Sequence, residues 1–207
     1  MLISPAPLTP MTEAQALGVL QAALPAGFTR AGLLLVAAQS AVETARWQQM
    51  YGFNFGNVTP TAAQLAAGAD YFQHPTTGSM KYLSFADPLS GAATMTSWLN
   101  GHGLFTAAQT GDMNAYMTGL QDGSYLGTIG LTDGSGHTVS QADYDNYAAD
   151  IRALISELAA VTPAPYAPPR SKLLTVGLPL AIGLGAAAFH FRDALLLAAR
   201  NAWRAVA

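Results

Sequence analysis

The chain has no cysteine and little charge. Without cysteine there can be no disulfide, no thiol nucleophile and no Cys-based zinc site, and the redox compartment is left open. Charged residues make up 10% of the 207, against about 25% in an ordinary soluble protein. The formal net charge is -3 and no basic block occurs, so nucleic acid is not an expected partner. The histidines His74, His102, His137 and His190 lack metal-ligand spacing. Neither a Gly-x-Ser-x-Gly elbow nor a Gly-Lys-Ser/Thr phosphate loop is present, and no metal or cofactor is expected. Asp133-Gly134-Ser135-Gly136-His137 opens like a calcium loop but has no later acidic ligands, so it reads as a polar turn. Met1-Leu2-Ile3-Ser4-Pro5-Ala6-Pro7 has neither a basic region nor a long apolar core. No standard secretory signal is expected, and a substrate outside the cytoplasm would require another export route.

What the chain does have is apolar bulk. Hydrophobic residues reach 51%, too many for a disordered chain, which points to a compact Ala-rich domain, a membrane segment, or both. The pattern predicts a helix after Thr12 that ends at Pro25-Ala26-Gly27, and a second helix from near Thr29 to about Tyr51. In the second, Ala31, Leu34, Leu35, Ala38, Ala41, Val42 and Ala45 fall on one face. Glu43 falls roughly 140° from the centre of that stripe, on a side shared with Val36, Gln39, Ser40 and Trp47. The expectation is an amphipathic helix that buries one face and presents Glu43 to a cleft from the other. Residues 52–86 read as turns with little regular structure, with a short strand near Met80-Lys81-Tyr82-Leu83-Ser84-Phe85. Asp87-Pro88 opens a further helix, another covers residues 113–120, and the last covers residues 144–158 after a cap at Ser140-Gln141-Ala142-Asp143.

The composition changes after this helix. Four prolines fall within residues 161–170, the signature of a stiff linker. Residues 173–189 then run uncharged for about 17 residues, the short edge of what spans a bilayer, with Arg170 and Lys172 on one side and His190 and Arg192 on the other. Residues 193–207 can lie amphipathically on a membrane surface. The expected organisation is a domain over 1–160, a Pro-rich linker over 161–172, and a membrane segment with an amphipathic tail over 173–207. A buried hairpin packing on a partner protein is the alternative for the tail.

Chemistry centres on Glu43. A carboxylate at the end of an apolar helix, just before the aromatic and glycine-rich turn Tyr51-Gly52-Phe53-Asn54-Phe55-Gly56-Asn57, suits a general acid beside a sugar-binding cleft. The ordered motifs resemble the glucosaminidase family of peptidoglycan hydrolases, the lysozyme-like group that includes the flagellar muramidase-type domain. That family carries a helix ending in Ala-x-x-Glu then Ser or Thr, followed by an Asn-Leu-Phe-Gly-Ile type turn. Here Glu43-Thr44 and Phe53-Asn54-Phe55-Gly56-Asn57-Val58 stand in those places. Tyr82-Leu83-Ser84-Phe85-Ala86-Asp87, Gly111-Asp112, Gly123-Ser124-Tyr125-Leu126-Gly127 and Tyr144-Asp145-Asn146-Tyr147 follow in the family's order, over about residues 12–158. The chain departs from the family's Glu-Ser-Gly-Trp-Gly: Trp47 comes later and no glycine precedes it. The turn is also one residue shorter.

The resemblance implies a mainly α, lysozyme-like domain with a small β/loop lobe. It also implies a glycosidase of lysozyme or N-acetylglucosaminidase type, or a lytic transglycosylase, acting on peptidoglycan strands. Glu43 would be the acid. A second carboxylate would come from the small lobe, with Asp70 and Asp87 as candidates, about 6.5–9.5 Å away in an inverting enzyme. Asp87 also reads as a helix cap before Pro88. Tyr125 matches the family's cleft tyrosine, with a core aromatic as its other reading. Trp47, Tyr51, Phe53 and Phe55 are candidates to stack on sugars, Tyr82 to bind substrate, and Asn54 and Asn57 to bond acetamido groups. With no signal peptide and a membrane tail, the chain reads as virion- or envelope-associated, with other virion proteins as possible partners. The rival readings are an inactive lysozyme-like assembly protein and a membrane lesion former driven by the tail alone.

Overall fold

A computed structural model describes residues 1–73, 80–132 and 137–168. Helices dominate it: α1 (Glu13–Ala23), α2 (Arg30–Glu43), α3 (Ala62–Ala66), α4 (Pro88–Gly101), α5 (Phe105–Thr110), α6 (Met113–Asp122) and α7 (Gln141–Leu158). Strands β1 (Tyr71–Gln73) and β2 (Lys81–Leu83) pair antiparallel, with Tyr71 opposite Leu83, Phe72 opposite Tyr82 and Gln73 opposite Lys81. The predicted start signals act as caps. Thr12 closes a capping box with Gln15 at the head of α1, the Thr29 hydroxyl accepts the Gly32 amide at the head of α2, and Asp87 caps α4 with Pro88 in its first turn. The short helices α3 and α5 had no predicted counterpart; each has too few residues to show a periodic pattern.

The expectation for α2 was wrong in two respects. The helix stops at Glu43, with Thr44 as its cap, rather than running on to Tyr51. It is also not amphipathic: residues 32–41 are buried on every side, including Val36, Gln39 and Ser40. A helix packed all round is the core of a bundle rather than part of its surface. Small residues make this possible. A Cβ on Gly32 would stand 2.4 Å from the carbonyl oxygens of both Ala108 and Gln109, so α2 and α5 meet backbone to backbone. Glu43 therefore reaches solvent because the helix ends there, not because a face is open.

Residues Met1–Ala167 form one compact unit. The first part of the Pro-rich segment belongs to it. The Ala164 amide donates to the Ala14 carbonyl at 2.8 Å, and a Cβ on Gly18 would fall 1.7 Å from the Ala164 oxygen, so residues 161–167 lie on α1. The rest of the linker and the expected membrane segment fall outside the described residues. Among the described residues no helix is long and apolar enough to cross a membrane.

Candidate active site

The turn after α2 builds the site. Ala45, Arg46 and Trp47 adopt φ of 48°, 56° and 62° in succession, a left-handed conformation costing roughly 1–2 kcal/mol per residue with a Cβ. Several bonds hold it. The Thr44 hydroxyl donates to the Ser40 carbonyl at 2.6 Å and accepts the Trp47 amide at 3.1 Å. The Arg46 amide donates to Ala41 O at 2.7 Å. The Arg46 guanidinium bridges Glu13 of α1 at 2.6 Å and Glu157 of α7 at 2.7 Å. The turn is built without glycine: Ala45 and Arg46 occupy left-handed positions.

Trp47, expected to stack on sugar, is fully buried, and its indole N–H donates to Ser40 Oγ at 2.8 Å. The left-handed turn swings it back onto α2, so it is a core residue. Phe55 is also fully buried and belongs to the core. Asn54 is buried too: its amide group donates to Val58 O at 2.9 Å and Leu83 O at 3.0 Å, and its Oδ1 accepts the Val58 amide. These three bonds tie the turn to β2 and leave Asn54 no role at a ligand. Asn57, by contrast, touches the site, its side-chain amide donating to the Glu43 carbonyl at 2.5 Å.

Two phenols converge on the Glu43 carboxylate. Tyr125 Oη and Tyr147 Oη each donate to Oε1 at 2.7 Å, and among the described residues nothing donates to Oε2. Both hydroxyls titrate far above the ordinary tyrosine range, first through burial and then through nearby charge, including that of Glu43. They are fixed donors at any physiological pH. Burial and then the Glu43 charge also push Tyr82 up, which puts β2 within electrostatic reach of the carboxylate. Tyr82 stacks on Phe72 at 5.7 Å, and Phe72 meets Tyr51 at 5.8 Å. Tyr51 and Tyr82 remain half-buried along that aromatic row.

The expected second carboxylates are engaged elsewhere. Asp87 Oδ1 accepts the Ser90 amide at 2.9 Å and Oδ2 the Ser90 hydroxyl at 2.7 Å, the capping role foreseen as its competitor. Asp70 pairs with the amino group of Met1 at 3.2 Å. Among the described residues no second carboxylate bonds to the Glu43 cluster, and no group of His, Asp or Glu has the form of a metal site.

Tyr147 lies in the last predicted helix, where its sequence context assigns it no role. Its partner Tyr144 lies three residues earlier on α7, where its hydroxyl donates to Gly127 O at 3.0 Å and accepts the Leu126 amide at 3.2 Å. One tyrosine thus holds the loop that carries Tyr125, and the next holds Glu43 itself. That spacing, one helical turn on a charge-rich helix, is a weak signal without coordinates. Trp98, edge-on to Tyr125 at 5.4 Å and stacked on His102 at 4.3 Å, was likewise read only as a helix residue.

No protein-family model and no curated protein matches the chain. Among solved structures it is similar to the glycoside hydrolase domain from Salmonella typhimurium FlgJ, at 19% sequence identity over 70% of this chain and 84% of that chain, with a TM-score of 0.46.

Proposed function

We propose that the domain is a peptidoglycan hydrolase that cleaves β-1,4 glycosidic bonds, with Glu43 as the general acid. The observation that carries this reading is the Glu43 carboxyl itself: one oxygen is gripped by two neutral phenols, the other accepts nothing from the described residues, and an aromatic row stands nearby. The ordered motifs around it support the substrate class. Glu43 gives its proton to the glycosidic oxygen as the C1–O bond breaks, and the bonding pair leaves with that oxygen. Water then adds to C1 and gives its proton to the Glu43 carboxylate, which restores the acid. In the route proposed here the sugar's own acetamido oxygen holds C1 until water replaces it. Tyr51 and Tyr82, half-buried along the aromatic row, are our candidates to stack on sugar rings.

A zymogram on purified peptidoglycan tests this. The wild type clears the gel and Glu43→Gln loses clearing by at least about 100-fold, the range of general acid catalysis. If wild type and Glu43→Gln share the same null, the enzyme reading is wrong and the domain is an assembly or anchoring component. We extend the proposal to place: an envelope- or virion-associated protein anchored through residues 173–207. Flotation of the full chain with phospholipid vesicles checks that; failure to float refutes it.

A further inference from the structure

We propose that Tyr147 is a positioning residue that, together with Tyr125, fixes the transferable proton of Glu43 on Oε2. This rests on the reading of Glu43 as a general acid. Both phenols donate to the same atom, Oε1, at 2.7 Å. A carboxyl oxygen that accepts two O–H bonds cannot itself present a proton without breaking one of them. In the acid form the hydrogen therefore sits on Oε2, the oxygen that accepts from neither hydroxyl. The two donors come from independent elements. Tyr147 stands on α7 and Tyr125 on the loop after α6, itself held to α7 by Tyr144. Their rings pack at 5.8 Å, and Asn57 holds the Glu43 carbonyl. With main chain, ring positions and Oε1 all held, only one direction is left for the proton.

The pair also acts during the reaction. When the O–H bond at Oε2 breaks and the proton passes to the leaving oxygen, Glu43 becomes a carboxylate. The charge is shared with Oε1, where the phenols already point. Bonds to an ionised acceptor are stronger than bonds to a neutral one, so both donors gain strength as charge develops, without reorganising. Among the described residues, the hydroxyls of Tyr125 and of Tyr147 on α7 bond Glu43, and Tyr82 of β2 and Tyr116 of α6 feel its charge. Among the described residues no cation pairs with it. Tyr147 is buried and so acts through Glu43, without touching substrate.

The test uses the full chain with Tyr147→Phe, Tyr125→Phe and Glu43→Gln, measured on soluble peptidoglycan fragments and by proton NMR. Two slowly exchanging downfield hydroxyl resonances are expected in the wild type. Each Tyr→Phe variant loses one, and both move upfield in Glu43→Gln. In Tyr147→Phe, kcat on the pH plateau falls about tenfold, KM stays within about twofold, and the alkaline limb of the pH–rate profile moves to higher pH, because a bond that favours the charged carboxylate is gone. A residue that only packed the core would leave that limb in place. Activity in the wild type with an unchanged kcat and pH profile in Tyr147→Phe overturns the positioning role alone. A wild type with no activity overturns the acid reading and this role with it.

Discussion

Raising the pH should unfold this protein steeply above about pH 10. Tyr116, Tyr125 and Tyr147 are all buried or nearly so, and burial is the leading cause that raises each of them above the ordinary phenol value. A phenol is charged when deprotonated. A folded-state value above the unfolded one means that the unfolded chain loses its proton first as pH rises. The stability these groups contribute is complete below about pH 10 and is lost above it. At pH 11 each silent tyrosine costs about 1.4 kcal/mol, so the three together remove about 4 kcal/mol. That is a large share of the roughly 5–15 kcal/mol that holds a domain together. Tyr82 adds less, because it is only half-buried. The assay is urea unfolding at pH 8, 10 and 11, followed by circular dichroism, beside a tyrosinate absorbance titration. Of the eight tyrosines, these three should stay protonated until the chain unfolds. Tyr116→Phe should reduce the pH slope by about a third. If all eight titrate near pH 10 with the helical signal intact, the burial of this cluster is wrong.

Two further outcomes test the backbone around the site. Ala45→Gly should raise stability by about 0.5–1 kcal/mol, because glycine relieves the left-handed cost at φ 48° and gives part of it back as unfolded-chain entropy; a lower urea midpoint would refute the strain. Two helical glycines of α4 should respond with opposite signs. Gly91→Ala drives a Cβ to 1.9 Å from the Phe53 carbonyl oxygen and should cost about 1–3 kcal/mol. Gly101→Ala meets nothing within 4 Å and should stabilise by up to about 1 kcal/mol, both read by thermal melts.

Where the helices begin was legible in the chain because capping is local chemistry. Thr12, Thr29 and Asp87 sit within a few residues of the amides they satisfy, as does Asp143, which accepts the Ser140 amide, and no distant contact is needed to read them. Glu43 stood out for a related reason, as an isolated charge at the end of an apolar run. Tertiary contacts decided the rest. The periodicity of α2 suggested one buried face, yet alanine, glycine and leucine all round let neighbours cover every side, which a helical wheel cannot show. The end of α2 hung on a left-handed turn built without glycine, stabilised by Arg46 reaching Glu13 and Glu157, which are 33 residues before and 111 residues after it in sequence. Trp47 and Phe55 looked like sugar-stacking aromatics, and only the packing showed them to be core. The partner of Glu43 was sought among carboxylates. The fold instead brought two tyrosines from 82 and 104 residues away. An apolar, cap-punctuated sequence by itself determines helices and a lone acid, because those signals act within one or two turns. Which groups surround that acid depends on how distant segments close over it, and that only the packed structure decides.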